Sequence, residues 1–227
     1  MSISSILIAN RGEISIRIAR AAADLGIKSI AVYSPEDSRS LHVLAADEAL
    51  ALKGKGASAY LDTEQIIDLA KSSGCDAIHP GYGFLSENPA FAHHCRDEGL
   101  IFIGPSPEIL ELFGNKTEAC ALAQRCSVPL LPGTLEATTL QQARDFFKSL
   151  GKGAAIMIKA ISGGGGRGIR AVYNENDLET AFNLCQAEAN KAFCACDVYV
   201  EQLIPRSRHI EVQVIGDGRD VIHLGER

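Results

Sequence analysis

Short apolar runs alternate with stretches of helical spacing along the N-terminal half of the chain. Between the runs, segments 14–22 and 63–70 have apolar residues three and four positions apart, the spacing of an amphipathic helix. The runs themselves predict five strands, at residues 6–9, 27–33, 48–52, 76–79 and 100–103. Strands that alternate with helices and are closed by Gly or Pro predict a parallel sheet that is covered on both faces.

Two polar, glycine-containing segments follow strands of this predicted sheet. Segment 10–13 (NRGE) comes directly after the first strand, and segment 79–83 (HPGYG) begins at the last residue of the fourth. Ligands of parallel α/β sheets gather at the carboxyl ends of the strands. We therefore expect both segments to lie at the ligand-binding edge of the sheet.

The pattern changes in the second half of the chain. Helices are predicted at 109–124 and 178–189, and strands on either side of a glycine-rich turn and at 198–204. Segment 209–214 alternates, which predicts a strand with Ile210, Val212 and Val214 facing a core and His209, Glu211 and Gln213 on the other face. These polar residues are equally compatible with a face that meets solvent. Asp217-Gly218 is typical of a hairpin turn, with a returning strand at 221–224.

Composition and charge exclude several classes of protein. Apolar content of 46% and charged content of 22% are ordinary for a globular chain, and no apolar run is long enough to span a membrane. A net charge of −6, without a block of Lys or Arg, argues against nucleic-acid binding. The seven cysteines have no metal-type spacing, and the N-terminus has no secretory pattern. Buried free thiols in a reducing cytoplasm are the expectation.

A run of four glycines, Gly163–Gly166, lies between two apolar stretches. Gly163, Gly165 and Gly168 match G-x-G-x-x-G, but residues 169–173 resemble a strand, whereas a dinucleotide site requires a helix there. The prediction is a hairpin whose backbone amides fold over phosphates, with Lys159 and Arg167 adding positive charge. A surface hairpin without a ligand is the alternative.

Segment 114–117 (GNKT) is similar to the tail of a P-loop but departs from it at one position. The Walker pattern requires glycine directly before lysine, and Asn115 stands there. From this segment alone, Lys116 is better interpreted as a solvated helix lysine than as a phosphate ligand.

Five long motifs in order resemble the biotin carboxylase family, over residues 6–227. They are IANRGEI at 8–14, HPGYGFLSEN at 79–88, FIGP at 102–105, IKA at 158–160 with the glycine loop, and RHIEVQ at 208–213. The resemblance implies an α/β chain: a Rossmann-like parallel-sheet (pre-ATP-grasp) domain at 1–114, then a partial α+β ATP-grasp module at 115–227. Within the module, it implies a glycine-lid subdomain at about 131–204 and the start of a C-terminal lobe at 205–227.

The resemblance also implies an activity. Family members use ATP, Mg²⁺ or Mn²⁺, and bicarbonate to carboxylate biotin held on a carrier protein or domain. A carboxyltransferase then passes the carboxyl group to an acyl-CoA or to pyruvate. The expected setting is cytoplasmic, with a homodimeric full-length protein and neither a membrane nor a nucleic acid as partner.

Site residues follow from the same resemblance, position by position. Tyr82 and Gly83 are expected near the biotin and bicarbonate. The expected ATP contacts are Lys116, Lys159, Gly163, Gly164, Gly165, Gly166, Arg167, Gly168, Glu201, Gln202, Leu203, Ile204 and His209. At Glu201–Ile204, backbone amides and carbonyls would hydrogen-bond the edge of adenine. An acceptor at Glu201 would accept a hydrogen bond from the adenine amino group. The departures from the family pattern are modest: Ser162 where Gly or Ala is common, Asn115 where Asp is common, and Ile169 where Met is common.

The family's metal-binding acids and its bicarbonate- and biotin-handling arginines lie on later strands, so no metal ligand or catalytic residue is expected here. Without them, phosphoryl transfer loses most of its electrostatic assistance. The 227-residue chain alone is therefore expected to have no carboxylase activity, weak or absent nucleotide binding, and an apolar sheet surface exposed to association. Two other hypotheses stay open: an ATP-grasp ligase of the carbamoyl-phosphate synthetase type, against which the motif at 79–88 argues, and a non-catalytic assembly module.

Overall fold

The computed structural model describes residues 2–161, 168–193 and 196–226, with the backbone alone at 192 and 193. The chain forms two compact units, Met1–Ala119 and Cys120–Arg227. The predicted lid residues Gly163, Gly164, Gly165, Gly166 and Arg167 lie outside the described residues.

The first unit alternates strands and helices from its start. Their bounds are β1 (Ser5–Ile8), α1 (Gly12–Asp24), β2 (Lys28–Tyr33), α2 (Leu41–Ala45), β3 (Glu48–Ala51), α3 (Gly56–Ala59), α4 (Thr63–Ser72), β4 (Ala77–His79), α5 (Pro89–Asp97), β5 (Ile101–Phe102), α6 (Pro107–Gly114) and α7 (Lys116–Arg125). The division between the two units falls within α7.

The five strands of this unit form one parallel sheet in the order β3-β2-β1-β4-β5. Leu7 of β1 belongs to the apolar cluster on one face of the sheet, whereas Ile6 and Ile8 belong to the cluster on the other face with α1. The predicted parallel sheet with both faces covered is confirmed. The chain builds outward from β1 to β3 and then returns to β4, so the topological switch point lies between the carboxyl ends of β1 and β4.

Two helices that apolar spacing did not predict begin at strong capping signals. Asn88 accepts a hydrogen bond from the Phe91 amide at 3.0 Å, with Pro89 in the first turn of α5. In the second unit, Thr139 and Gln142 form a reciprocal capping box at the start of the helix Leu140–Ser149. Both starts are visible in the sequence as cap residues.

The predicted single helix at 109–124 is wrong, because it is two helices broken at Asn115. The side-chain oxygen of Asn115 accepts hydrogen bonds from the Thr117 amide at 3.1 Å and the Glu118 amide at 3.3 Å. Its backbone is extended (φ −97°, ψ 107°). Asn115 therefore ends α6 and caps α7, a role that helical spacing does not reveal.

The second unit contains a small antiparallel sheet packed on two helices. The remaining elements are α8 (Leu140–Ser149), β6 (Ile156–Ala160), β7 (Ile169–Val172), α9 (Leu178–Phe193), β8 (Val198–Gln202), β9 (Val212–Gly216) and β10 (Val221–Glu226). The sheet order is β7-β6-β8, and both pairs are antiparallel. Ile156 and Ile158 of β6 are fully buried against residues of α8 and α9. The strands predicted on either side of the glycine loop therefore form a hairpin, as expected.

A separate hairpin, β9 with β10, ends the described chain. The predicted turn is confirmed: the Asp217 carboxylate accepts the amides of Arg219 and Asp220, both at 2.8 Å. The prediction that Ile210, Val212 and Val214 face a core is wrong, since they are 61%, 53% and 56% exposed. In the described residues, this hairpin is a sheet of two strands paired only with each other, so alternation is present without a covering layer.

Cysteine burial differs from the sequence prediction at two positions. Cys75, Cys95 and Cys185 are buried, and burial raises the pKa of these thiols to about 11, 12 and 11. Cys126 and Cys196 are exposed, so the expectation of buried thiols is wrong for them. In the described ranges, every helix is too short or too polar to cross a bilayer.

Candidate nucleotide and carboxylation site

The register between β6 and β8 brings Lys159 and Glu201 onto one face of the small sheet. Lys159 lies opposite Tyr199, and Met157 lies opposite Glu201. Residues opposite each other in an antiparallel pair share a face, so all four side chains lie on the same side. The other side of the sheet carries the buried aliphatic residues. We call this polar side the Lys159 face.

The ammonium group of Lys159 forms an ion pair with Oε1 of Glu201. The two side chains are 25% and 19% exposed, so water reaches the pair only in part. The Tyr199 hydroxyl donates to the other Glu201 oxygen at 3.4 Å. Burial, followed by the charge of Glu201, raises the pKa of Tyr199, which stays protonated as a donor. The face presents a cation and an acceptor to a polar ligand.

The backbone amides at the end of β8 are the expected hydrogen-bond donors to adenine. The Gln202 amide donates to Pro132 O and the Leu203 amide to Ala155 O, both at 2.8 Å. No acceptor in the described residues takes the amide of Ile204, whose side chain is 46% exposed. Among the described residues, the Ile204 amide is therefore the one of these three that a ligand could accept from.

Gly168 fixes the end of the glycine-rich segment to the rest of the unit. Its carbonyl accepts the Ala160 amide at 2.8 Å and the Cys185 thiol at 3.1 Å. Its φ is +66°, and a Cβ atom at this position would lie 2.9 Å from Ala160 Cβ. Glycine is required here both by backbone conformation and by space.

The remaining two predicted nucleotide contacts lie on other elements. Lys116 is the first residue of α7 and belongs to the first unit, whereas Lys159 and Glu201 belong to the second. His209 lies in the exposed segment before β9, with its Nε2 3.2 Å from a Glu211 oxygen. The contacts of the Lys159–Glu201 pair in the second unit do not include His209.

Tyr82 and Gly83 lie in the loop after β4, at the switch point of the parallel sheet. Nδ2 of Asn10 donates to Pro80 O at 2.7 Å and to Tyr82 O at 2.8 Å. The expectation that segments 10–13 and 79–83 both lie at the carboxyl ends of strands is confirmed, and the two strands, β1 and β4, are neighbours. Sequence reasoning placed Asn10 at this edge but missed its contacts, since these depend on β1 and β4 being neighbours.

The side chains of Glu13 and His79 accept hydrogen bonds from the Tyr82 loop. The Tyr82 hydroxyl donates to a carboxylate oxygen of Glu13, which raises the pKa of Tyr82. The Gly81 amide donates to Nδ1 of His79 at 3.0 Å, which requires that nitrogen to be unprotonated. Burial lowers the pKa of His79 and so favours the neutral ring. Tyr82 itself is 62% exposed and accessible to a ligand.

The described ranges contain no group of three or more His, Cys, Asp or Glu side chains arranged to hold a metal ion. Chemically, the described sites can bind phosphate and nucleobase groups and position an aromatic ring.

A Rossmann-like parallel sheet, followed by a small antiparallel sheet with a glycine-rich connection and a lysine on its polar face, defines part of an ATP-grasp protein. Residues 2–110 match the family "Biotin carboxylase, N-terminal domain". Residues 115–227 match "Carbamoyl-phosphate synthase L chain, ATP binding domain". The chain belongs to the biotin carboxylase family.

Curated relatives match along the whole chain. The pyruvate carboxylase of Bacillus subtilis is 51% identical over 100% of this chain and 20% of its own length. The biotin carboxylase of Nostoc sp. is 47% identical over 100% of this chain and 51% of its own length. The chain thus spans about half of one relative and a fifth of the other.

Solved structures agree with the fold. A Campylobacter jejuni biotin carboxylase, described as a complex with β-γ-ATP, has a TM-score of 0.95 at 44% identity, covering 99% of this chain and 51% of its own. The biotin carboxylase domain dimer of the Hydrogenobacter thermophilus 2-oxoglutarate carboxylase, with MgADP, ADP and bicarbonate, has a TM-score of 0.94 at 42% identity. It covers 100% of this chain and 50% of its own.

Proposed function

We propose that this chain supplies the N-terminal half of a biotin carboxylase. The whole enzyme would use ATP and bicarbonate to carboxylate carrier-bound biotin, the first half-reaction of a biotin-dependent carboxylase. The observation that supports this most directly is the Lys159–Glu201 pair on a partly exposed sheet face, together with an Ile204 amide, just after β8, that no described residue accepts. A cation, a carboxylate and a backbone donor suit the phosphates and base of a nucleotide.

In this role the second unit provides one side of the ATP site. Glu201 holds the Lys159 ammonium on the polar face before the nucleotide arrives, and Lys159 then contacts the phosphates or the purine. Ile204 donates to the adenine edge, next to Gln202 and Leu203. We assign Lys116 and His209 as further nucleotide contacts, and Gly163, Gly164, Gly165, Gly166, Arg167 and Gly168 as contacts of the phosphates.

The first unit provides the Tyr82 loop for the carboxylation end of the reaction. Tyr82 and Gly83 would lie near biotin and bicarbonate. The position of this loop at the topological switch point supports the assignment, because ligands of parallel α/β sheets bind there.

The proposed cofactors and partners follow from the relatives. Nucleotide is expected with Mg²⁺ or Mn²⁺, which neutralises phosphate charge when bound, and the MgADP and bicarbonate of the Hydrogenobacter structure support this. Biotin would be presented by a carrier protein or domain, and a carboxyltransferase would receive the carboxyl group. The dimer in that structure supports a homodimeric enzyme, and a cytoplasmic setting is proposed with it.

The domain limits are also a proposal. A pre-ATP-grasp domain at 1–114 and an ATP-grasp module from 115 are supported by the matched ranges 2–110 and 115–227. Within the module, we assign the glycine-lid subdomain to about 131–204 and the start of a C-terminal lobe to 205–227.

The test uses a joined polypeptide: residues 1–227 followed by the part of the Nostoc biotin carboxylase that they do not cover. ATP cleavage should depend on bicarbonate and increase with biotin, whereas residues 1–227 alone should be inactive. Stimulation by ammonia in place of biotin would instead identify a ligase of the carbamoyl-phosphate synthetase type. A folded joined polypeptide without turnover would favour a non-catalytic module. Size-exclusion chromatography of the chain with and without the separate Nostoc segment would then test for specific assembly.

A further inference from the structure

The side chain of Asn10 uses both of its amide hydrogens on the Tyr82 loop. Its Nδ2 donates to Pro80 O at 2.7 Å and to Tyr82 O at 2.8 Å. Its Oδ1 accepts the Arg11 amide at 2.8 Å, which fixes the orientation of the amide group. Asn10 is 3% exposed. A buried amide whose donors are all satisfied holds its partners in one geometry.

The contact leaves no room for a side chain between the two carbonyl groups. Gly81 lies between Pro80 and Tyr82 with φ +67°, and a Cβ atom there would be 2.7 Å from Asn10 Nδ2. The bare backbone of Gly81 therefore packs directly on the Asn10 amide. Replacing either residue would move the loop.

A second attachment fixes the ring of Tyr82 to the same segment. The Tyr82 hydroxyl donates to Glu13, in the first turn of α1, three residues after Asn10. The Tyr82 backbone and ring are thus both held by residues that follow β1. Tyr82 is 62% exposed, so its ring is not held in place by packing in the core. Ordering an exposed side chain costs conformational entropy, and the hydrogen bond to Glu13 offsets this cost.

We propose that Asn10 is a positioning residue for biotin carboxylation, acting through the Tyr82 loop with Glu13 as the second anchor. Asn10 sets the backbone of residues 80–82, and Glu13 sets the ring, so that Tyr82 meets biotin in a fixed orientation. The inference rests on the proposed function. Displacing a positioning group by about 1 Å can lower a rate by about 100-fold.

The first experiment separates two rates of the joined polypeptide. Bicarbonate-dependent ATP cleavage without biotin is measured beside carboxylation of free biotin, with kcat and KM for biotin. Asn10→Asp, which has the same size but no N–H donors, should lower kcat/KM for biotin at least about tenfold. ATP cleavage without biotin should fall far less. Equal loss of both rates, or loss of neither, would overturn the proposal.

A second pair of variants covers the case in which Asn10→Asp does not fold. Glu13→Gln keeps an acceptor for the Tyr82 hydroxyl, and Glu13→Ala removes it. The Gln variant should keep the wild-type kcat/KM for biotin, and the Ala variant should lose several-fold; equal values would contradict the second anchor. If the wild-type joined polypeptide shows no biotin-dependent turnover, the proposed function fails and this inference with it. Normal turnover that these variants leave unchanged overturns the inference alone.

Discussion

Lys159 and Glu201 are 42 residues apart in the sequence and form an ion pair on one face of the small antiparallel sheet. The register of β6 against β8 brings them together, with Lys159 opposite Tyr199 and Glu201 opposite Met157. The pair lies on the polar side of strands whose other side is the buried core of the second unit. Because the pair is partly buried, water screens its attraction less than it screens that of a fully exposed ion pair.

The first prediction is that this pair contributes to stability through its coupling. In a double-mutant cycle of Lys159→Ala and Glu201→Ala, we expect a coupling free energy of about 1 kcal/mol, since the pair is partly shielded from water. Urea denaturation gives the four free energies of unfolding. The control is Lys148 with Glu175, a 3.1 Å pair whose side chains are 60% and 42% exposed, where no measurable coupling is expected. Equal coupling in both cycles would contradict the prediction.

The second prediction concerns Gly168 at the end of the glycine-rich segment. Gly168→Ala should destabilise the chain through its positive φ and through the close approach to Ala160. Gly153→Ala is the matched control, because its φ is +81° but a Cβ there would have open space. Both should pay about 1–2 kcal/mol for the left-handed backbone, and Gly168→Ala should cost about 1–3 kcal/mol more for overpacking. Thermal or urea unfolding measures the difference, and equal losses would show that space at Gly168 does not matter.

The third prediction is a pH dependence that arises at His79. Burial lowers the pKa of His79 in the folded chain, so the unfolded chain binds the proton first, near pH 6.5. The contribution of neutral His79 to stability should be complete above about pH 6.5 and lost as the pH falls below it. His79→Asn keeps an acceptor for the Gly81 amide but does not titrate.

Unfolding free energies between pH 7 and 5 should therefore fall less steeply for His79→Asn than for the wild type. The pKa of His42 is also lowered by burial, and its contribution to the pH dependence is the same in both proteins. A wild-type slope in His79→Asn would argue that the ring is not held neutral by its surroundings.

The fourth prediction concerns the exposed hairpin. Ile215 and Ile222 are cross-strand neighbours that are 52% and 58% exposed, and apolar patches of this kind favour association. Ile215→Lys combined with Ile222→Glu should reduce binding of an apolar dye and shift the chain toward monomer in analytical ultracentrifugation. Leu44→Lys, at a position 78% exposed in the first unit, is the control and should change neither. No change in the double variant would place the association surface elsewhere.

The parallel sheet was predictable because its strands are short, apolar and separated by helical spacing. Such patterns show which residues share one face of a strand but not whether another layer covers that face. Val212 and Val214 were therefore wrongly assigned to a core. The break at Asn115 depends on a side chain capping a backbone, and apolar spacing does not detect it.

The candidate site shows the same division. Lys159 was expected on a strand. Its pairing with Glu201 depends on the register between β6 and β8, which hydrophobic patterns in the sequence do not reveal. The contact of Asn10 with the Tyr82 loop depends on β1 and β4 being neighbours, across about 70 residues of chain.

The central claim is that the Lys159 face is one side of an ATP site whose other side lies outside these residues. Isothermal titration of MgATP into the chain alone and into the joined polypeptide tests it, with Lys159→Ala in each. We predict weak or no binding by the chain alone, and binding by the joined polypeptide that Lys159→Ala weakens about tenfold or more, as expected for a charge-assisted phosphate contact. Tight binding by either protein that is indifferent to Lys159→Ala would contradict the account.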